Sequence, residues 1–342
     1  MRYLTAGESH GEELLGIIEG LPSGLEINLS KINSMLATRQ QVYGRGSRSS
    51  RCPDTAEIRS GVYGGKTTGA PIAVAIKNGS CGTGEFDFFR PGHVDYAAAV
   101  KYGYDSPWLG AERASARETS IRTALGSIAL MLLSQLGITV KATVAQIGNA
   151  VGKCNPLELS EDMKREIDGA GRSGDTLGGK IKVSISGLKA GFGSHVHFDR
   201  RLDGILAGAL MSIPSVKAVE VGFGTDFACV KGSEVADILI GQNGNIARKS
   251  NFGGGIEGGI SNGEDITLTL TLKPIPSVAG LPTVDKYGNA CLTGKVRGDV
   301  TAVPAACVVA EAASSLALCE VILDCLGGDT MEEIKDRYIK KG

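Results

Sequence analysis

A short, glycine-bearing segment of the sequence concentrates positive charge. Four arginines lie within thirteen residues: Arg39, Arg45, Arg48 and Arg51. No acidic residue lies between Glu26 and Asp54. Because a planar guanidinium group binds phosphate or carboxylate through two hydrogen bonds, this pattern favours a small anion with several charges. Two other interpretations stay open: a solvated basic surface loop, and an RNA-binding segment in which only Tyr43 offers a stacking face.

The run GESHG, residues 7–11, places Ser9 beside His10. It matches G-x-S-x-G, the turn that carries the nucleophile of α/β-hydrolases. In α/β-hydrolases several strands precede that turn in the sequence, whereas only six residues precede Gly7 here. The remaining interpretations are a plain turn bounded by glycines and an acid–base site in which His10 donates a proton near neutral pH.

A second histidine lies in the run FRPGHVDY, residues 89–96, which follows a glycine-rich stretch. Arg90, His93 and Asp95 fall within six residues of one another. A cation, an imidazole and a carboxylate at this spacing favour a site that binds an anion and moves a proton. The alternative is a helix that begins at Asp95.

Three further segments carry residue types suited to anions. In ERASARET, residues 112–119, two arginines stand at the start of a predicted apolar helix, where backbone N–H groups and the helix dipole attract anions. The run R-G-D, residues 297–299, precedes a second apolar helix, and KPIPS, residues 273–277, ends a predicted strand.

Two weaker patterns favour ordinary structure. The run SGVYGGKTTG, residues 60–69, nearly matches the P-loop, but Ser60 stands where the first glycine belongs, so we expect a strand, a turn and a strand. His195 and His197 would share one face of a strand. Because no cysteine or carboxylate cluster lies near them, we expect no metal site.

Hydrophobic periodicity predicts helices over residues 116–136, 200–213 and 304–326, and a polar surface helix over 160–168. Strict alternation predicts strands over 139–147, 180–186 and 265–273, with others at 71–76, 216–222 and near Ile27. The helix over 304–326 is apolar on nearly all sides and should be buried. We therefore predict an α+β fold in which antiparallel sheets cover a buried helical layer.

Composition excludes several classes of protein. The 342 residues carry 36 Lys and Arg against 37 Asp and Glu, and 42% are hydrophobic, which excludes a polycationic nucleic-acid coat and a disordered chain. The 49 glycines show no collagen period. No secretory signal and no apolar run of membrane-spanning length is evident. The eight scattered cysteines predict buried free thiols, and the expected location is the cytoplasm.

Taken together, the ordered motifs resemble the chorismate synthase family. They are GESHG, R-x5-R-x2-R, FRPGH, ERASARET, MSI before VKAVEVG, GGIEGGISNG, KPIPS and R-x-D before VPAA. The resemblance implies one catalytic domain over residues 1–342, a helical layer between antiparallel sheets, and a homotetramer. It implies anti-1,4-elimination of phosphate from 5-enolpyruvylshikimate 3-phosphate, with reduced FMN and no net redox change, in the shikimate pathway to the aromatic amino acids.

The resemblance also implies roles for individual residues. His10 resembles the histidine that balances charge at the departing phosphate, and His93 the one that donates a proton to the flavin. Asp299 resembles the acid that works with the flavin to remove the C6 proton of the substrate. Ser9 and Ser115 resemble hydroxyls that orient these groups.

Binding residues follow from the same motifs. The substrate would be bound by Arg39, Arg45, Arg48, Arg90, Arg117 and Arg297. The flavin would contact Arg113, Ala114, Ser115, Pro214, Ser215, Gly258, Lys273, Pro274, Ile275, Pro276, Ser277 and Arg297. Arg39 and Arg45 match positions assigned to NADPH. The sequence departs from the family at Pro214–Ser215, where many members have Asn–Ala, and at Ala114, where a serine is common.

Overall fold

The computed structural model describes residues 1–46, 53–79, 85–242, 245–294 and 298–341, as strands, helices and the loops that join them. The strands are β1 (Arg2–Ala6), β2 (Glu13–Glu19), β3 (Ala56–Ile58), β4 (Val62–Tyr63), β5 (Lys66–Thr67), β6 (Ile72–Lys77), β7 (Thr139–Ile147), β8 (Ala150–Cys154), β9 (Gly179–Ser186), β10 (Val216–Val221), β11 (Leu239–Gln242), β12 (Asn245–Arg248), β13 (Ile256–Glu257), β14 (Ile260–Ser261), β15 (Ile266–Leu272), β16 (Pro282–Val284) and β17 (Ala290–Leu292). The α-helices are α1 (Leu29–Gln41), α2 (Asp95–Tyr102), α3 (Pro107–Ala114), α4 (Thr119–Gln135), α5 (Glu161–Ser173), α6 (Leu202–Met211), α7 (Val303–Leu326) and α8 (Met331–Lys340).

The larger sheet has the strand order β10-β15-β9-β7-β8, and every neighbouring pair is antiparallel. Along β15 the residues alternate between buried and half-buried, because successive side chains point to opposite faces. The three strands predicted over 139–147, 180–186 and 265–273 are confirmed with bounds that differ by no more than one residue at each end.

The smaller sheet has the order β1-β2-β6-β3, again antiparallel throughout. Sequence periodicity predicted β6 but not the β1–β2 hairpin, which brings the GESHG loop to the edge of this sheet. The strand predicted near Ile27 is wrong. The chain there makes only an isolated bridge between Glu26 and Lys66, which is too short to form a ladder.

The helices α4 and α7 form the layer between the sheets. Helix α4 contacts β2 and β6 of the smaller sheet, and α7 contacts β7 and β9 of the larger one. The two helices pack closely at Gly126, where a Cβ would lie 2.4 Å from the Cβ of Ala312. The predicted helices over 116–136 and 304–326 and their position between antiparallel sheets are confirmed.

One hydrophobic core joins both sheets to the helical layer. Within the described residues, α7 is the one helix long and apolar enough to cross a membrane by length and composition, and 83% of its apolar window is buried inside the protein. The polar helix predicted over 160–168 runs further, to Ser173, and buries only Met163 and Ile167. Cys307 and Cys319 are buried as predicted, whereas Cys325, at the end of α7, is exposed.

Candidate active site

The loop between β1 and β2 carries His10, and a glutamate from a distant part of the sequence holds it. The Nδ1 atom of His10 lies 2.6 Å from Oε1 of Glu112, and the backbone N–H of His10 donates to Oε2 at 2.8 Å. The N–H of Ser9 donates to the backbone carbonyl of Glu112 at 3.1 Å. Only 19% of the His10 side chain and 11% of the Glu112 side chain are exposed. These contacts fix the loop to the helix that carries Glu112.

That helix, α3, presents two side chains to His10. The Ser106 hydroxyl caps its start by accepting from the N–H of Trp108 at 3.3 Å, and Pro107 has the fixed φ that suits the first turn. Trp108 and Glu112 are four residues apart and so lie on one helix face. The ring centroids of Trp108 and His10 are 4.8 Å apart. The imidazole is thus packed by an aromatic ring and paired with a carboxylate from the same helix.

In the FRPGH segment, two side chains contact the buried carboxylate of Asp95. Asp95 is fully buried, and its two oxygens accept from Nε and Nη2 of Arg90 at 2.7 and 2.8 Å. Nδ1 of His93 lies 2.5 Å from Oδ1 of the same carboxylate. Burial alone raises the pKa of Asp95, but the hydrogen bonds from Arg90 and His93 outweigh it and lower that pKa to about 2. The helix start predicted at Asp95 is confirmed, and this residue also brings Arg90 and His93 together.

Phe86 joins the two histidine clusters. The guanidinium carbon of Arg90 lies 4.7 Å from the centroid of the Phe86 ring. Phe86 also packs edge-to-face against Trp108, with 5.6 Å between the ring centroids. Because Trp108 also contacts His10, one aromatic pair connects the surroundings of His10 and His93.

Asp54 is a buried carboxylate between two of the predicted substrate arginines. Nη1 of Arg117 lies 2.5 Å from its Oδ1, and Nη1 of Arg39 lies 3.6 Å from its Oδ2. Arg39 is buried and also donates from Nε and Nη2 to the hydroxyl of Thr119 at 3.1 and 2.8 Å. Burial and then the charge of Arg45 lower the pKa of Arg39 to about 9, whereas Asp54 raises it. The positive charge here therefore exceeds what Asp54 neutralises.

Arg45 connects this cluster to Asp299. Its Nη1 forms an ion pair with Oδ2 of Asp299, and the N–H of Gly46 donates to Oδ1 of the same carboxylate at 2.7 Å. The Nε atom of Arg45 is buried and has no hydrogen-bond acceptor in the part of the chain that the structure describes. Arg45, Gly46 and Gly298 line a cavity of about 360 Å³. An anion in this cavity would supply the acceptor that Nε lacks.

The segment Lys273–Ser277 lies between the FRPGH loop and Asp299. Nζ of Lys273 donates to the carbonyl of Gly92, and its N–H donates to the carbonyl of Ser215 at 2.9 Å. Ser215 has φ 74°, the one left-handed backbone at a non-glycine residue among those the structure describes. Burial lowers the pKa of Lys273. At the far end a Cβ on Gly298 would lie 2.6 Å from Oγ of Ser277, so the segment runs directly against the Asp299 turn.

Asn78 completes the connection between the arginines and the GESHG loop. Nε of Arg117 donates to its side-chain oxygen at 2.7 Å. The amide nitrogen of Asn78 donates in turn to the carbonyls of Glu8 and Gly11 at 3.1 and 2.9 Å. Contacts and chain connections thus bring most of the predicted site residues into one region: Ser9, His10, Arg39, Arg45, Arg90, His93, Arg117, Ser215, Lys273, Pro274, Ile275, Pro276, Ser277 and Asp299.

The remaining predicted residues are more peripheral. Arg113 is exposed and donates to the carbonyls of Thr5 and Gly7, next to Ala114, the last residue of α3. Ser115 caps the following turn by accepting from the N–H of Arg117 at 3.2 Å. Pro214 precedes Ser215 on the approach to β10. Gly258 lies in the β13–β14 turn, where the nearest atom to an added Cβ is Cβ of His195, 3.9 Å away. Arg48 and Arg297 lie outside the described residues.

The structure also identifies site residues that the sequence did not. Glu112 and Asp54 pair with the predicted histidine and arginines, and Phe86 and Trp108 pack between them. Glu112 is the first residue of the ERASARET motif, but no spacing rule joins it to His10, 102 residues away. The signal for Asp54 was weak: it is the first acid after the arginine-rich run.

The alternatives weighed on sequence grounds are also decided. Ser9 lies in the turn of an antiparallel hairpin and not between a strand and a helix, so the hydrolase turn is excluded. Residues 60–69 form the β4–β5 hairpin, which confirms the predicted strand, turn and strand. The expectation that His195 and His197 share one face of a strand is wrong, because residues 195–197 form a bend before the 3-10 turn Phe198–Arg200. His197 pairs with Asp199 at 2.7 Å on the surface, and among the described residues no cluster of potential metal ligands includes it.

Comparison with known families matches chorismate synthase over residues 1–323. The chain belongs to the chorismate synthase family. The chorismate synthase of Carboxydothermus hydrogenoformans is 42% identical, with 98% of this chain and 97% of that protein covered. That of Thermus thermophilus is 43% identical over the same shares.

A solved structure, described as a crystal structure of chorismate synthase, superposes with a TM-score of 0.83 at 35% identity, covering 99% of this chain and 96% of that one. The fold predicted from the motifs, a helical layer between antiparallel sheets, is thereby confirmed. Membership of the chorismate synthase family makes the chain a lyase of aromatic amino-acid biosynthesis that acts on a small molecule, and it implies a flavin cofactor.

Proposed function

We propose that the clustered residues catalyse anti-1,4-elimination of phosphate from 5-enolpyruvylshikimate 3-phosphate to give chorismate, with reduced FMN and no net redox change. The substrate is a small ring that carries one phosphate and two carboxylates. The observation that carries the proposal is the buried Nε of Arg45, which lacks an acceptor in the described residues beside a cavity of about 360 Å³. An unsatisfied cationic donor of this kind favours an anionic ligand.

The charge balance around Arg45 supports the same ligand. Arg39, Arg45 and Arg117 have Asp54 and Asp299 as their carboxylate partners in the described residues, and Asp168 is the acidic residue that lines the cavity. Hydrogen bonds hold Arg39 and Arg117 in place, so little side-chain entropy would be lost when an anion binds. Donors fixed in this way stabilise the charge that develops on a departing phosphate.

The residues that flank the arginines balance charge and accept the proton. His10 balances charge at the departing phosphate, from a position fixed by Glu112. Asp299 accepts the proton from C6 of the substrate, and Arg45 and the N–H of Gly46 hold its carboxylate in place. Ser9 and Ser115 orient these groups. Elimination then releases one proton and one phosphate and forms one double bond.

The segment Lys273–Ser277 fits a planar, anionic cofactor. It contributes a partly desolvated cation, Lys273, and two prolines, and it packs against the backbone at Gly92 and Gly298. Reduced FMN held there, with His93 beside it, would supply electron density to stabilise allylic positive charge on the substrate. Arg113, Ala114 and Ser215 would complete its contacts, with NADPH as the reductant at Arg39 and Arg45.

Three further features of the enzyme belong to the same proposal. The chain forms one catalytic domain, which the shared core of both sheets and the helical layer supports. It assembles as a homotetramer and works in the cytoplasm. Size-exclusion chromatography with light scattering tests the assembly, with a mass of four chains expected and a monomer as the contradicting result.

An anaerobic assay tests the reaction. Purified protein is mixed with the substrate and chemically reduced FMN, and the diene absorbance of chorismate is followed together with released phosphate. We expect both products to appear in equal amounts. The matched control uses oxidised FMN under the same conditions and should give neither. Phosphate release without the diene, or no reaction with reduced FMN, would contradict the proposed reaction.

A further inference from the structure

Glu112 contacts His10 at two points that together determine how the imidazole lies. One carboxylate oxygen is 2.6 Å from Nδ1 and the other accepts the backbone N–H of the same residue at 2.8 Å. A carboxylate that holds both the backbone and the ring of one histidine fixes its position and its χ angles.

The setting of this pair is rigid. Glu112 lies on α3, whose first turn is capped by Ser106, and Trp108 on the same face packs against the His10 ring. Trp108 is in turn packed by the buried Phe86. A paired carboxylate on a packed helix therefore sets the position of the imidazole, although His10 itself lies in a loop.

The charged neighbours within the described residues make contacts of their own. Arg113, the next residue on α3, donates to the carbonyls of Thr5 and Gly7. Arg117 reaches the loop through Asn78, and Arg90 packs on the ring of Phe86. Among the contacts described, Glu112 is the carboxylate that meets the His10 ring.

We propose that Glu112 is a positioning residue for the elimination: it holds the ring and the backbone of His10 in one orientation beside the departing phosphate. The proposal rests on the role proposed for His10 and adds to it. The arrangement parallels the histidine–carboxylate pairs in which the acid fixes the orientation of an imidazole that meets the substrate.

The test is Glu112→Gln, which removes the charge and one of the two acceptor oxygens, because an amide has a single acceptor oxygen. We expect kcat to fall roughly 10–100-fold while KM changes less than about threefold, because the orientation of His10 matters most as the phosphate leaves. Glu112→Asp, which keeps both acceptor oxygens, should recover part of kcat.

A second measurement does not depend on turnover. The rate of diethylpyrocarbonate modification at His10 at neutral pH, followed by peptide mass spectrometry, should rise in Glu112→Gln, because the ring is held less firmly. The matched control is Asp199→Asn, which removes the charge from a histidine pair of similar length, 2.7 Å, that is 60% exposed on both sides. That variant should leave kcat and the modification rate at His10 unchanged. In Glu112→Gln, His197 provides the internal reference for modification.

The outcomes separate the two proposals. If His10→Ala turns over like the wild type, the role proposed for His10 is wrong. If His10→Ala is impaired but Glu112→Gln keeps the wild-type kcat and the wild-type modification rate at His10, then Glu112 does not position the imidazole and the inference is overturned. Equal loss of activity in Glu112→Gln and Glu112→Asp, with a lowered unfolding temperature in both, would also overturn it.

Discussion

The two histidines of the site are held in different ways. The carboxylate that pairs with His93 is Asp95, two residues away, fully buried, and shared with the guanidinium of Arg90. The carboxylate that pairs with His10 is Glu112, 102 residues away, slightly exposed, and engaged with the backbone and ring of that one residue. One acid thus belongs to the start of a helix, whereas the other joins a loop to a helix.

This difference indicates separate consequences for stability and catalysis. Loss of Asp95 would leave the largely buried Arg90 without its partner, which costs folding free energy. Loss of the Glu112 charge would release His10 near the surface, where water can compensate. We therefore expect loss of the Asp95 charge to appear mainly in stability and loss of the Glu112 charge mainly in kcat.

The largest effects should follow removal of either imidazole. His10→Ala and His93→Ala should each lower turnover by roughly 10²–10⁴-fold if both groups transfer or balance protons. The measurement is the anaerobic rate of chorismate formation with reduced FMN. His195→Ala, on the exposed loop, is the control and should keep the wild-type rate. A wild-type rate in either site variant would remove that histidine from the mechanism.

Asp95→Asn should separate the two pairs by stability. The substitution should lower the free energy of unfolding by about 3 kcal/mol at neutral pH, because it breaks a buried ion pair. The pKa of Asp95 is lowered to about 2, so in the wild type this contribution is present above pH ~4 and is lost as the pH falls toward 2. In urea unfolding between pH ~6 and ~2.5, the free energy of unfolding of the wild type should decline with falling pH. The variant should lack the share of this decline that comes from Asp95.

Glu112→Gln provides the contrast for the same measurement. Its free energy of unfolding should fall by less than about 1 kcal/mol, since the pair is partly exposed and the amide still accepts hydrogen bonds. Equal destabilisation in the two variants would contradict the distinction between the pairs.

The smallest effect should follow Phe86→Leu, which removes the aromatic contact between the clusters. We expect a loss of about 1 kcal/mol of stability and a change in turnover of a few-fold, because the aromatic and cation–π contacts are each worth about that much. Thermal unfolding and kcat measure both. Phe198→Leu, at an exposed ring away from these clusters, is the control. A loss of turnover as large as that of His10→Ala would mean that Phe86 does more than connect the clusters.

Local pattern was sufficient to predict much of the fold. The strands β7, β9 and β15 alternate cleanly because one face is buried, and α7 is apolar all round because it lies between two sheets. The β1–β2 hairpin was missed since Leu4, Leu15 and Ile17 on its outer face are exposed apolar residues, which blurs the alternation. The short α3 was missed because it has only eight residues, whereas the start of α2 at Asp95 was one of the two interpretations of its segment.

In the candidate site, too, local groupings could be predicted from the sequence and long-range pairs could not. Arg90, His93 and Asp95 could be grouped from spacing alone, because a six-residue segment at a helix start cannot spread far. The pairs His10–Glu112 and Arg45–Asp299 join segments 102 and 254 residues apart, and only the packing of α3 and of the turn before α7 brings them together. Motif resemblance identified three of these four residues, and Glu112 required the structure.

The affinity of the Arg45 cavity for the substrate is the most direct test of the proposed anion site. Calorimetric titration of the protein with 5-enolpyruvylshikimate 3-phosphate, in the presence of FMN, should give a Kd roughly 10–100-fold weaker for Arg45→Met than for the wild type, with Arg45→Lys between them. Arg165→Met, at a side chain that is 78% exposed, should bind like the wild type. A folded Arg45→Met that binds the substrate with wild-type affinity would contradict the proposal that this arginine cluster holds the anion.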